Sequence, residues 1–518
     1  MRSFGNFSLL FALTLSVFIQ DGIGDTLPLT ATNTSPLSTH ALVTSRSGTT
    51  SSPVTPYVDD PDFLDTFTYQ ILTPPVNGTA VVDGNNRLVY TPNIDITSGL
   101  DSFIYRATDS AGQVVDGTAR VRIYANSVGS AAGLGRCTTA STVSDIGALG
   151  IRTNSGGCAI YSEAITRITS TGTPVTVRYT VHRPSNGALP KAVVYLIAGG
   201  QLNANFVGGD ATTGSITSAG GNFLVRSAQL IAEAGYLAVV MDRPSDRSGI
   251  PPNTDNYRVS VDHAVDILTL LRRVNTDKLP VILAGTSRGA LSVVANNLIA
   301  AGLHISSPVT SGTGTQLYVG IAGRPNLQAA YVQRPTHVLW HQDDLCPVST
   351  PAKSLALFNN LIRPGFAFPS KTIATDGVRV TTPSTTVQPD VCGAFDYHGF
   401  LGIEPTIIAI DMAILDNFVA SLVGNTAPDA AFVSMSTSLG NAAKIDLSTI
   451  TRSAKKNRLA YALPHAMTSL GGRVTLRGTK VTYTPPAAIT NRTDYFVYVV
   501  TDRKGGVNAA VVTVKLVN

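Results

Sequence analysis

Residues 281–300 read VILAGTSRGALSVVANNLIA. Val281 to Ala284 form a short apolar run of the kind found in a strand buried on both faces, and the residues after Gly289 open a helix. Between them Gly285, Thr286, Ser287, Arg288 and Gly289 spell GxSxG. A sharp strand-to-helix turn needs small residues at both glycine positions, because the two backbones pass close together there. Such a turn holds Ser287 in a strained conformation above the sheet edge, at a helix N-terminus where developing negative charge is favoured. GxSxG alone arises by chance; the strand before it and the helix after it give it chemical meaning.

The same alternation extends outward, from about residue 130 to about 425. Apolar runs at Ala192 to Ile197, Leu237 to Met241 and His337 to Trp340 read as buried strands. Val261 to Val274 is helical, since Val261, Ala264, Val265, Leu268 and Leu271 follow the i, i+3, i+4 rule. Strand and helix in alternation predict a mostly parallel sheet with helices on both faces.

A serine hydroxyl is a weak nucleophile and needs a base, itself oriented by an acid. In a sheet of this kind the acid and base follow the serine in the chain, which leaves His304, His337, His341, His398 and His465. His304 comes too early, His337 sits within the strand Pro335 to Trp340, and His465 lies in a different domain. His398, in DYHGF, follows a loop and precedes a helical stretch from Pro405, where a base on a late loop belongs. For the acid, the strand HVLW runs into Asp343 and Asp344 just past its C-terminal end, facing the ligand crevice of an open sheet. The two compete, and Asp344 is favoured. Developing oxyanion charge would be met by the backbone N–H of Arg288 and by one from Gly200 or Gln201, after the strand AVVYLI; one such donor is worth about 3–4 kcal/mol.

These residues, in this order, resemble the α/β-hydrolase superfamily over about 290 residues. The resemblance implies Ser287 as nucleophile, His398 as general base, Asp344 as orienting acid and an acyl-enzyme intermediate. The HGGG motif of lipases is missing, and the short stretch between Ser287 and Asp344 shows no long amphipathic lid. The acid loop further resembles the HxxDxC arrangement of a group of secreted hydrolases, here His341, Asp344 and Cys346. That resemblance implies a Cys346–Cys392 disulfide tying the acid loop to the base loop. The other two cysteines, Cys137 and Cys158, form the second local pair, although four cysteines allow three pairings. No CxxC spacing or His cluster lies near them, so neither a metal nor a cofactor is expected.

The two ends of the chain repeat one another. Tyr90, Asp101, Tyr105, Asp109 and Gly112 recur 393 positions later as Tyr483, Asp494, Tyr498, Asp502 and Gly505, without a gap. Phe103, Tyr105 and Ala107, like Phe496, Tyr498 and Val500, alternate with their neighbours, which predicts half-buried strands. The shared pattern, YTP followed by DSFIYRATDSAG or DYFVYVVTDRKG, resembles the cadherin-like and tandem Ig-like β-sandwich modules of bacterial surface and secreted proteins. That resemblance implies spacing, stabilising or adhesive roles. The repeat aspartates are read as turn formers rather than Ca²⁺ ligands.

The expected order is therefore a leader at 1–24, a β-sandwich at 25–126, an α/β-hydrolase domain at 127–426 and a second β-sandwich at 427–518. The leader follows from Arg2, the apolar run Leu9 to Ile19 and the small residues before Asp25, and predicts a secreted or cell-surface protein. No other stretch is long and apolar enough for a transmembrane helix. Asn33, Asn77 and Asn491 begin sequons. Only 14% of the 518 residues are charged, the net charge is +5, and no run of either sign exists. This excludes a disordered chain, a coiled coil and nucleic-acid binding driven by a basic stripe. The remaining functions are a serine hydrolase of carboxylic esters, a polymer-degrading esterase whose modules hold an insoluble or surface-bound substrate, and an adhesion protein with an inactive hydrolase-like centre. Asp262 and His263 are expected in solvent, Asp242 in a structural loop, and Trp340 beside the acid loop. Oligomeric state is not encoded in these patterns.

Overall fold

A computed structural model describes residues 33–124, 159–308 and 332–517, apart from 61, 63–64, 98, 185–186, 217–219, 248–252, 363–368, 377–390, 393–396, 423 and 488–490. The leader and the Cys137–Cys158 pair lie outside the described residues. The central sheet has eight strands, in the spatial order Pro369–Ala374, Thr336–His341, Gly302–Ser306, Val281–Thr286, Val193–Ile197, Leu237–Met241, Pro174–His182 and Ile160–Ile168. The first six are mutually parallel, and the last two join antiparallel. The runs around Ser287 are therefore interior strands, which is why they are apolar on both faces.

Helices α1 (Phe223–Glu233), α2 (Asn253–Arg258), α3 (Val261–Val274), α4 (Gly289–Ala295), α5 (Pro351–Leu361) and α6 (Glu404–Ser421) cover the sheet. One core contains α3, α4 and α5, and another contains α1 and α6. Ser260 and Asn222 cap α3 and α1 by accepting N–H bonds from His263 and Leu224. No described helix is long and apolar enough to cross a membrane.

Each end of the chain is a sandwich. In the first, Ser38–Arg46 pairs parallel with Val114–Tyr124 in a five-stranded sheet, and Gly78–Val82 pairs with Leu88–Pro92. The second repeats this with Val433–Ser438 parallel to Val507–Val517. The repeated residues do the same work twice. Tyr90 Oη donates to Asp101 at 2.9 Å and Tyr483 Oη to Asp494 at 2.8 Å. Asp109 Oδ1 closes its turn through the N–H groups of Ala111 and Gln113, and Asp502 Oδ1 through those of Lys504 and Gly506.

The expectation of half-buried strands holds for the first copy and fails for the second. Ser102, Ile104 and Arg106 face outward from the first sandwich, and Ile104 is 40% exposed. Their counterparts Tyr495, Val497 and Val499 are buried, joining Ala509 and Val511 in the same core as Leu268 and Leu271 of α3. Tyr495 Oη also accepts the N–H of Ile168 at 2.9 Å. The second sandwich is thus packed on the central domain by an apolar sheet face. Deleting residues 427–518 should uncover that face of α3, lower the melting temperature by at least about 5 °C and reduce turnover of short soluble substrates. An unchanged melting temperature would show that the face contributes nothing.

Two expectations for α3 are also corrected. His263 is fully buried against Tyr257, with ring centroids 4.6 Å apart. Asp262 pairs with Arg247 at 2.6 Å and Arg167 at 3.5 Å instead of facing solvent. Asp242 is a loop organiser, accepting the N–H groups of Ala204 and Arg243. Trp340, at the end of its strand, is buried in the core with α5.

Candidate active site

Ser287 has φ +56°, a left-handed conformation that a residue with a side chain rarely adopts. Its surroundings impose it. A Cβ on Gly285 would lie 2.4 Å from Gly289 O, and one on Gly289 2.4 Å from Ile197 O. Both glycines exist because strand, turn and helix touch there, as the motif requires.

Asp344 and His398 meet. His398 Nδ1 is 2.9 Å from Asp344 Oδ2, and both side chains are buried. Asp344 Oδ1 accepts the N–H of Cys346 at 2.8 Å, and Oδ2 accepts Ser349 Oγ at 3.0 Å. Ser349 Oγ also lies 2.9 Å from His398 Nδ1. Asp343 is exposed and takes no part in this network. His398 Nε2 is buried and has no hydrogen-bond partner among the described residues.

No Ser287–His398 hydrogen bond forms, but both residues border the end of one strand. Ser287 N donates to Ser306 O at 2.9 Å, while Ser307 Oγ donates to the carbonyl of His398 at 2.9 Å.

The loop that carries His398 is held from several sides. Cys346 and Cys392 form the expected disulfide. Arg226 of α1 donates to Gly399 O and, through Nε at 2.7 Å, to Glu404 in a buried ion pair. Tyr397 stacks on His341 with centroids 4.4 Å apart. His341 Nδ1 in turn accepts the N–H of Asp343, and Nε2 lies 2.7 Å from Asp376 O. Sequence reading missed Ser349, Ser307, Arg226 and Glu404, because each contacts residues distant in the chain and none belongs to a spaced motif.

Arg258, also missed, organises the loop after Val193–Ile197. Its fully buried guanidinium donates to the carbonyls of Ala198, Gly199 and Gly200 at 2.9, 3.1 and 3.2 Å, and to Ser292 Oγ at 3.0 Å. In a trans peptide C=O and N–H point oppositely. Drawing the carbonyls of Gly199 and Gly200 to Arg258 therefore turns the N–H groups of Gly200 and Gln201 away from it. A Cβ on Gly199 would lie 2.9 Å from Ser287 Cβ, so this loop touches the serine turn. Burial pulls Arg258 down to about 10, opposed by Asp255. The Arg288 side chain also pairs with Asp255. Arg258→Lys keeps the charge but replaces two nitrogens by one, so the carbonyls held by Nη2 and the Ser292 hydroxyl held by Nη1 can no longer be bridged. It should lower kcat about 100-fold with KM within about two-fold; a purely structural defect would instead scale with the folded fraction.

The histidines set aside on sequence grounds have another job. His304 and His337 both bond Asp411 of α6, with Nε2 at 2.8 and 2.9 Å from its two oxygens. Burial alone pushes the Asp411 carboxyl up, but attraction and hydrogen bonds from both histidines outweigh it and hold it at about 2. Its folded value is depressed, so this stabilisation is full above about pH 4 and disappears as pH falls towards 2. Asp411→Asn should cost about 3 kcal/mol at pH 7 in denaturant unfolding, and the gap to wild type should narrow over that acid range. A gap independent of pH would contradict this.

The bacterial Ig domain family matches residues 26–122 and 419–515. No curated protein matches the chain by sequence. Similar solved structures include an alpha-beta serine hydrolase homologue from Coxiella burnetii, 17% identical over 46% of this chain and 91% of that one, TM-score 0.30. Brefeldin A esterase, a bacterial homologue of human hormone sensitive lipase, is 14% identical over 51% and 76%, TM-score 0.28. An esterase from the planctomycete Thermogutta terrifontis is 12% identical over 48% and 88%, TM-score 0.29. The chain thus carries a bacterial Ig domain at each end. Its eight-stranded, mostly parallel sheet flanked by helices, with a strand–turn–helix at Ser287, has an α/β-hydrolase-like fold.

Proposed function

We propose that the chain is an exported serine hydrolase of carboxylic esters. One observation carries the reading: Asp344 occupies His398 Nδ1, and Nε2 is buried with no partner among the described residues, beside the strand end on which the left-handed Ser287 also rests. An Nδ1–H bonded to a carboxylate leaves Nε2 as the basic nitrogen. In the proposed reaction Nε2 takes the Ser287 proton as Oγ attacks the ester carbonyl. The resulting oxyanion is met by the N–H of Arg288 and that of Gly200 or Gln201. The imidazolium then protonates the departing alkoxide, leaving an acyl-Ser287, and water attacks the acyl group by the same route in reverse order. The domain limits 25–126, 127–426 and 427–518, and a leader at 1–24, complete the proposal.

The test is hydrolysis of a series of p-nitrophenyl esters of rising acyl length by the purified protein. Turnover with a burst of one p-nitrophenol per chain is expected if deacylation is slow. No hydrolysis of any member by correctly folded protein would sink the reading.

A further inference from the structure

Asn222, immediately before α1, has one end of its side-chain amide in use and the other free. Oδ1 accepts the N–H of Leu224 at 3.1 Å as the cap of the helix. Only the oxygen of an amide can accept, so this bond fixes which way the group faces. The NH₂ is turned to the other side, and Nδ2 meets no acceptor among the described residues. A cap needs only an oxygen, which serine or aspartate supplies about equally well. The amino group is therefore surplus to the helix.

That group lies beside the serine turn. The point that a Cβ on Gly199 would occupy is 2.9 Å from Ser287 Cβ and 3.5 Å from Asn222 Nδ2. Gly199 directly precedes Gly200 and Gln201, whose N–H groups are turned away from Arg258. The amino group thus flanks both the serine and the loop after Val193–Ile197. From the other side Asn222 is joined to the loop that carries His398. Arg226 donates through Nη1 to Gly221 O at 2.5 Å and through Nη2 to Gly399 O. Phe223 packs on Phe400 with ring centroids 4.7 Å apart. Asn222 is half-buried between these contacts. Its amide is therefore held in place before any substrate arrives, as a preorganised donor must be.

We propose that Asn222 is a further catalytic residue, whose Nδ2 donates a hydrogen bond to the ester carbonyl oxygen as that oxygen becomes an oxyanion; this rests on the serine-hydrolase reading above. When Ser287 Oγ bonds to the carbonyl carbon, the π electron pair of the carbonyl moves onto its oxygen. Nδ2 then joins the N–H of Arg288 and that of Gly200 or Gln201 in meeting the charge, and the pair returns when the alkoxide leaves. The amide gives up no proton and is unchanged by turnover. A donor that meets charge present only in the transition state raises kcat and leaves KM nearly alone.

The experiment compares the full chain with its Asn222→Ser and Asn222→Asp variants in steady-state hydrolysis of p-nitrophenyl butyrate, with melting temperatures alongside. Both variants keep a cap oxygen, so both should melt within about 2 °C of wild type. Asn222→Ser should lose about 100-fold in kcat with KM within about two-fold, the loss expected for one oxyanion donor. Asn222→Asp should lose more, because it sets a carboxylate against the developing negative charge. A trifluoromethyl ketone, which adds to a serine hydroxyl as a bound oxyanion, should inhibit both variants at least about 10-fold more weakly. Near-wild-type kcat in Asn222→Ser, or a loss confined to KM, would overturn the proposal and leave the serine-hydrolase reading intact. A kcat loss accompanied in both variants by a melting temperature more than about 5 °C lower would assign Asn222 to the helix alone. Failure of the folded wild type to hydrolyse the ester would remove that reading and the proposal together.

Discussion

Ser287→Ala should abolish labelling by a fluorophosphonate probe and lower ester turnover by at least about 10⁴-fold, which is about 5.5 kcal/mol of lost transition-state stabilisation. In the proposed reaction the magnitude follows from removing the atom that would form the covalent intermediate, while the N–H groups and the binding surface stay in place. Those survivors explain why some rate above water should persist. The backbone should not relax, because the left-handed turn is imposed by contacts of Gly285 and Gly289 and not by the serine hydroxyl. An unchanged melting temperature should therefore accompany the lost labelling. The neighbouring Ser307 is the natural control. It also has a positive φ, of 40°, but its hydroxyl is spent on the His398 carbonyl. Persistent labelling of Ser287→Ala that disappears in Ser307→Ala would move the nucleophile one strand over and refute the reading.

The sequence was most informative where chemistry and backbone geometry coincide. GxSxG needs its glycines for contact and its serine for reaction, so one short string places strand, turn and helix. The period of 393 paired residues that also pair in role, Tyr90 with Asp101 and Tyr483 with Asp494. The contact between Asp344 and His398 was legible because, in a sheet of this kind, an acid and a base are expected to follow the serine on late loops. Arg258 was not, since its task is to hold three backbone carbonyls that any residues could supply. The docking face at Tyr495, Val497 and Val499 was visible only as a departure from alternation, and the alternation in the first copy masked it. His263 shows the converse error: a polar residue on an amphipathic helix reads as solvent-facing until another element covers it, here Tyr257 of α2.

Asp344→Asn should reduce kcat about 1,000-fold or more, while Asp343→Asn changes it less than about two-fold. The carboxylate of Asp344 can only accept, so it fixes the proton on His398 Nδ1, and in the proposed reaction this leaves Nε2 to take one from serine. An amide can present its NH₂ to Nδ1 instead, which places the ring proton on Nε2 and disables the base; in a comparable triad this loss is about 10⁴-fold. The present site adds a competing partner. Ser349 Oγ lies 2.9 Å from Nδ1 and, being both donor and acceptor, can accept the Nδ1 proton when the carboxylate is gone. Asp344→Asn alone should therefore retain more activity than Asp344→Asn/Ser349→Ala, by about 10-fold. Raising the pH should not restore either variant, because the defect is the tautomer and not the charge of the base. Steady-state kinetics of the four proteins decide the matter. Equal losses for Asp343→Asn and Asp344→Asn would break the assignment of the acid. Equal activity of the single and double Asp344 variants would remove Ser349 from it.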